Sequence, residues 1–230
     1  MKPRAYGAVC YGQYFYGLKT GNKDEVSQSI EQHFGENIEN PLSKEWPLLL
    51  QRLGDATKHI DQEDKRLIAG FMIHMWLRSP SARSFINGNA ERMYKQVAKI
   101  AYSGKAAEIS FAKHEKSTGA KLTDAEKSDI KSFIEDDEYS VEFSNKQHLK
   151  FMLDPEHQAG FTNLIFHQDW IIHISRANRQ FMTSDTPLVI LVPETKGFYG
   201  ATFLQRTHLF PLSPTLLVEA RPPKDEHNKK

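Results

Sequence analysis

An α+β fold follows from the order in which the chain changes texture. Between about residues 24 and 167, apolar side chains recur every three or four positions, the period of helices with one inward face. From about 168 to 220, β-branched and aromatic residues dominate and short runs are separated by proline and glycine, the pattern of strands. Helices first and strands last, with no regular alternation of the two, predict an N-terminal helical layer packed on a C-terminal, mostly antiparallel sheet. A single domain over residues 1–230 is expected, with a polar, proline-interrupted tail from 221 to 230.

Taken in order, Tyr6 to Leu18 is rich in aromatics and glycine and reads as an extended segment packed at a sheet edge. No basic residue interleaves with its rings between Tyr6 and the start of Leu18, which argues against a stacking platform for bases. From Asp24, the residues Val26, Ile30, Phe34 and Ile38 recur at i, i+4 and predict a helix that Pro41 ends. Glu39 would then stand at a helix C-terminus, where the macrodipole disfavours a carboxylate, and a misplaced charge of that kind marks a candidate functional residue. A short helix from Lys44 to Lys58 carries Trp46, Leu49, Leu50 and Leu53 on one side.

Gln62 to Arg78 is the clearest element. Asp61 is a good N-cap, Glu63 and Asp64 suit the positive end of the dipole, and Leu67, Ile68, Phe71, Met72, Met75 and Trp76 repeat with helical period. Ile73 and Leu77 fill the opposite side, so the helix should be central. His74 and Arg78 interrupt it on one face, and a guanidinium there must reach solvent, a carboxylate or an anion. Ser79-Pro80 precedes a long helix, about Ala82 to Ser110, with Phe85, Ile86, Ala90, Met93, Val97 and Ile100 inward and a basic row outside. Lys113 to Lys121 reads as a loop punctuated by Gly119, and Thr123-x-x-Glu126 as a capping box for the next helix. The run Glu135 to Glu138 lacks the ligand spacing of a calcium loop and reads as a solvated helix end. Phe143 to Phe166 is helical again, interrupted near Asp154-Pro155 and Gly160.

Composition narrows the function classes. Lys and Arg number 30 against 29 Asp and Glu, so no global field recruits nucleic acid or an anionic membrane. One cysteine, Cys10, rules out an internal disulfide and a multi-cysteine zinc site and fits a reducing compartment. The basic start Met1 to Arg4 has no apolar run behind it, and no window reaches the ~18 apolar residues of a membrane span. A cytoplasmic protein without a membrane or nucleic acid partner is expected. The residues specify no cofactor, no metal and no particular protein partner.

The densest chemistry lies between Phe181 and Pro214. Phe181-Met-Thr-Ser-Asp185-Thr-Pro187 leads into the apolar run Leu188 to Val192, a connection follows, and a second strand from Thr202 to Phe210 closes with Phe210-Pro-Leu-Ser-Pro214. The two runs read as a hairpin with Thr183, Ser184 and Asp185 at its entrance. The residue two beyond Asp185 is Pro187, which has no N–H, so the usual Asx bond is closed to this carboxylate. Asp185 therefore needs a partner elsewhere, and Arg78 or His74 is the expected one. Thr183 and Ser184 are read as the hydrogen-bonding scaffold of such a site.

These two motifs, with Val9-Cys10, Phe15-Tyr16, Ile38-Glu39 and Arg78-Ser-Pro80 with Arg83, resemble the bacterial domain of unknown function 4238 family in the family's order. Members open with a His-Tyr-Val-Pro-type segment and continue past the Pro-Leu-Ser-Pro strand, so the chain is expected to be a shortened member. The resemblance implies no activity. Two classes of function stay open on the residues. One is acid-base or metal-assisted hydrolysis of a small or phosphorylated substrate, with Asp185, Arg78, His74 and Glu39 as catalytic candidates and Ser184 and Thr183 as binding candidates. The other is a non-catalytic interaction module using an open sheet edge. A nuclease built on Asp185 with Glu194 and Lys196 is the weaker alternative, because about six residues at ~3.3 Å each would separate the two ends.

Overall fold

The computed structural model describes residues 32–55, 59–176, 179–191 and 203–223. Among them run helices α1 (Asn40–Leu53), α2 (Gln62–Leu77), α3 (Pro80–Ala101), α4 (Gly104–Thr118), α5 (Asp124–Glu135), α6 (Asn145–Leu153) and α7 (Pro155–Phe166). Strands β1 (Asp169–Ile174), β2 (Val189–Leu191), β3 (Thr207–Ser213) and β4 (Leu216–Arg221) follow. The class is α+β, with one antiparallel sheet in the order β1-β4-β3-β2 at the C-terminal end. Two compact units emerge, one from the described residues up to Ser79 and from Asn145 onward, the other from Pro80 to Ser144. The Tyr6 to Leu18 segment, Cys10, the start of the Asp24 helix, Glu194, Lys196 and the last residues of the tail lie outside the described residues.

In the first unit the helix expected to stop at Pro41 does not stop. A π-helical segment, Gly35–Glu39, runs straight into α1, and the Asn40 N–H reaches the Gly35 carbonyl. Proline at 41 has no N–H for the carbonyl four residues back, so a widened turn just ahead of it loses nothing that an α-turn would have kept. Asn37 Nδ2 covers the His33 carbonyl at 2.9 Å, one of the acceptors the wide turn displaces. Counted at about 100° per residue, Phe34 and Leu53 would lie about 100° apart around a plain α-helix. One absorbed residue returns them to the same face, and both are buried. The predicted Lys44 to Lys58 helix is thus Asn40–Leu53, and Glu39 is interior to a continuous helical run. A second proline, Pro47, sits inside α1 and leaves the Ser43 carbonyl without its helical donor.

α2 matches its expected span to within a residue, with Arg78 as its C-cap. Asp61 caps it, its carboxylate accepting from the Asp64 N–H at 2.7 Å. The Asp64 carboxylate, itself buried, is held by Arg52 of α1 through the guanidinium, including an Nε bond of 3.2 Å to Oδ2. Ile68, Ala69, Met72, Ile73, Trp76 and Leu77 are buried, as a central helix requires. Leu67, Phe71 and Met75, spaced four apart along one side, are only half-buried. That stripe is the part of an all-round apolar helix which the described residues leave partly uncovered.

The sheet's inner face carries His208, Phe210 and Leu212 of β3 with Leu216, Val218 and Ala220 of β4, alternating as a half-covered antiparallel sheet should. Phe71 of α2 meets Phe210 edge-on at 5.9 Å, and Trp76 packs on Phe161 of α7 and on Phe203 at 5.3 and 4.9 Å. β2 and β3 pair antiparallel, Val189 opposite Leu209, as the predicted hairpin requires. Residues Phe203–Gln205, expected to begin its second strand, form a 3₁₀ turn instead, and β3 begins at Thr207. Pro211 lies beyond the last β2 pair, where β3 has become an edge on that side and a missing N–H is tolerated. Ser213 Oγ accepts from the Thr215 and Leu216 N–H groups and closes the tight turn into β4.

In the second unit the capping box is present, with Thr123 and Glu126 serving each other's backbone. Two sequence expectations change. The long helix from Ala82 breaks at Gly104, whose φ of 48° suits glycine, and becomes α3 and α4. The expected loop from Lys113 is helical to Thr118, and Gly119 at φ 74° is the left-handed C-cap. The inward stripe of α3 holds only for its first half: Ala82, Ile86 and Ala90 are buried, whereas Met93, Val97 and Ile100 are exposed. Asp137 receives Lys99 at 2.7 Å, so the acidic run ends a helix as expected and is neutralised locally. Farther along, the break at Asp154-Pro155 is real, but Gly160 lies within α7 without interrupting it.

The core predicts a graded loss. Trp76→Ala should cost ~3–5 kcal/mol in urea unfolding, since it empties a closed aromatic cluster. Phe71→Ala should cost clearly less, because that ring is already half open; equal losses would contradict the uncovered stripe.

Candidate functional site

The uncovered stripe of α2 floors two clefts, both in the first unit. The larger has a volume of about 440 Å³. Its apolar floor is Trp46, Phe71, Met75 and Phe210, flanked by Leu42, Leu212 and three prolines, Pro47, Pro187 and Pro211. Trp46 stands at 63° to Phe71 with centroids 5.0 Å apart, and Phe71 at 88° to Phe210, so the rings meet edge to face and turn their faces in different directions. The polar lining is Glu39 with the hydroxyl residues Ser43, Thr183 and Ser184. The smaller cleft, about 390 Å³, shares Leu42 and Phe71 and is bounded by Ile38, Glu45, Arg66, His74 and Gln158. Ile38 and Glu39, neighbours in the π segment, thus serve different clefts.

Five of the six expected site residues come together around the larger cleft or directly behind it, Asp185 being the exception. Arg78 Nη1 donates to Glu39 Oε1 at 2.7 Å, and its guanidinium lies 4.7 Å from the Phe34 ring centroid. The arginine side chain is 19% exposed and the glutamate 51%, so the carboxylate reaches the cleft while the cation stays behind it. This pair supplies the reason for a carboxylate at position 39 that the helix-terminus reading lacked. Glu39 shares the cleft lining with Thr183 and Ser184.

His74 completes the network. Its ring is buried against Phe34, and its Nε2 lies 3.5 Å from Arg78 Nη1. Because a guanidinium only donates, Nε2 is the acceptor and the proton sits on Nδ1. Burial, then the neighbouring Arg78 charge, push its pKa down to about 4, with Glu39 opposing weakly. His74 is therefore a neutral acceptor at neutral pH that orients Arg78.

Asp185 is exposed, and its carboxylate makes no hydrogen bond or ion pair with the described residues. The turn in this segment is made by its neighbour. Ser184 Oγ accepts from the Thr186 N–H at 3.2 Å, a bond available because the residue two beyond serine is a threonine, whereas the one two beyond aspartate is proline. Thr183, Ser184 and Asp185 form an irregular bend ahead of β2, which begins only at Val189. Among the described residues no group of three His, Cys, Asp or Glu is placed to hold a metal ion.

The sequence reading assigned Trp46, Phe71 and Met75 to apolar helix faces and passed over Ser43 and Pro47. The available signal was proline at 47 in a run otherwise helical, which leaves one backbone carbonyl without its helical donor. A second buried imidazole was also missed. His208 Nδ1 donates to Gln168 Oε1 at 2.9 Å, Gln168 Nε2 donates to the Arg206 carbonyl at 3.0 Å, and Lys65 Nζ to the Gln168 carbonyl at 2.9 Å. Burial, with Arg206 adding to it, lowers the His208 pKa to about 4.

Fold and cleft together define an α+β protein with an open, aromatic-floored cleft and a carboxylate on its rim. Over residues 3–230 the chain matches the family described as Protein of unknown function (DUF4238), and it belongs to that family. No curated protein and no solved structure matches it. No helix among the described residues is long and apolar enough to cross a membrane.

The two histidines set a pH dependence. Both are neutral when folded with pKa values of about 4 against the usual 6.5, so as pH falls the unfolded chain takes up protons first. Their contribution is complete above about pH 6.5 and is lost progressively towards pH 4, by up to roughly 3 kcal/mol each. Urea unfolding between pH 7 and 4.5 should show this slope, and His208→Gln or His74→Gln should flatten it. The depressed carboxylates Glu115, Glu126, Asp137 and Glu219 act in the same direction, but their contribution begins to be lost only near their ordinary values, at the foot of this window.

Proposed function

We propose that the protein is a ligand-recognition module whose site is the cleft floored by Trp46, Phe71 and Phe210. The observation that carries this reading is the half-buried stripe of α2: an apolar face in the middle of the fold is left open over about 440 Å³, within the size range of small-molecule sites. Hydroxyls of Ser43, Thr183 and Ser184 and the Glu39 carboxylate supply the few polar groups that would orient a ligand on an apolar floor. Arg78 and His74 hold Glu39 from behind and act as positioning residues. The interaction-module alternative thereby moves from a sheet edge to the cleft.

Hydrolysis is the second reading, supported by one observation: Glu39 shares the cleft with the Thr183 and Ser184 hydroxyls. In it Glu39 would take a proton from a water placed over the hydroxyls, the general-base role of a positioned carboxylate. Among the described lining residues there is no Lys, Arg or His to meet a phosphate, which directs either reading away from phosphorylated ligands.

The neutral probe N-phenyl-naphthylamine separates these readings from a cleft that binds nothing. Its emission should rise saturably with the protein, and Trp46→Ala should weaken binding at least about tenfold, the ~1.4 kcal/mol that loss of one ring face represents. An unsaturable signal, or one indifferent to Trp46, would refute the site. Turnover of an uncharged aryl ester that disappears in Glu39→Gln would promote the hydrolytic reading.

A further inference from the structure

The rim chemistry selects among ligands, and this inference rests on the cleft reading above. Three rings contribute to the lining, and successive ones meet at 63° and 88°. Rings so turned offer π faces on more than one side of a guest. The only ionisable group among the described lining residues is Glu39. Its Oε1 is taken by Arg78, while its Oε2 makes no hydrogen bond to the described residues. Arg78 does not itself line the cleft. Among the described lining residues the other polar side chains are hydroxyls, Ser43, Thr183 and Ser184, and the one cation that meets the carboxylate, Arg78, does so from behind the cleft.

We infer that the cleft takes an organic cation, an ammonium or quaternary ammonium carrying an apolar body. A cation over the face of tryptophan or phenylalanine is attracted by the ring quadrupole, and more strongly when both are withdrawn from water. Here the head group would sit against Trp46 and Phe71 with Glu39 Oε2 as its counter-charge, and the apolar body would lie on Met75 and Leu42. The Glu39–Arg78 pair is neutral as a whole, so the attraction is short-ranged: it comes from the near oxygen and the ring faces, not from a net field. An anion would meet the carboxylate with no compensating partner in the described lining. A neutral guest would gain the apolar floor but leave the rim carboxylate idle.

Three phenols of one shape class test this by titration calorimetry on the full chain: para-trimethylammonio-phenol, its neutral isostere para-tert-butylphenol, and para-phenolsulfonate. The cation should bind at least about tenfold more tightly than the isostere, the contrast expected when a desolvated cation–π contact is added to equal apolar area. Glu39→Gln should erase most of that preference, weakening the cation more than the isostere. Arg78→Met, which frees the second carboxylate oxygen, should increase it. The opposite signs guard against a general loss of folding, which would weaken every ligand in both variants. Equal binding of cation and isostere, tighter binding of the sulfonate, or a preference indifferent to Glu39 would overturn the cation assignment and leave the cleft standing. Absence of binding by all three would overturn the cleft reading itself.

Discussion

The Glu39–Arg78 pair is the contact on which the arrangement of the first unit turns. It ties the end of α2 to the widened turn ahead of α1. Taken alone, a half-exposed ion pair contributes little to stability. Its weight here is geometric. The guanidinium is stacked on Phe34 and leans on a neutral His74, so it cannot swing to follow the carboxylate, and the carboxylate must come to it. That fixes one rim of the aromatic cleft. The buried imidazole is part of the device, since a charged His74 beside Arg78 would place two cations together in the core.

The same economy explains why an apolar stripe can remain open without collapse of the helix pair. α1 is pinned to α2 at both ends, by Glu39 with Arg78 at one and by Arg52 with Asp64 at the other. Between these pins, Pro41 and Pro47 stiffen the wall, and the segment from Thr183 to Pro187 forms the facing side. Its turn is set by Ser184 and the N–H of Thr186, a local bond that asks nothing of the cleft. An opening bounded by such constraints is preorganised, which lowers the ordering cost that a guest must overcome.

Much of the architecture could be read from the residues where a local rule has a local cause. Asp61 and Thr123 cap helices because their side chains satisfy N–H groups three residues on, and Asp154-Pro155 breaks one because proline cannot donate backwards. The strand pairing of β2 with β3 follows from two β-rich runs joined by a short connection. The misreadings share a cause as well. Pro41 and the Gly35–Glu39 turn, the continuation of α4 through Lys113, and the exposure of Met93, Val97 and Ile100 depend on what surrounds each helix, and periodicity does not record that. At the site, His74, Arg78 and Glu39 were legible as charges in the wrong place. The contact of Glu39 with Arg78 was not, because 39 positions separate the two. Trp46 and Phe71 looked like core for the same reason that they floor a cleft: both roles call for large apolar rings.

Pro47 has a consequence for how this site can vary. It leaves the Ser43 carbonyl without the donor a regular helix would supply, and both residues line the cleft. No side-chain substitution at position 43 restores that donor. Only exchange of the proline, four residues downstream, would let the helix reclaim its hydrogen bond, so the backbone of this wall is governed by a neighbour of the residue it affects.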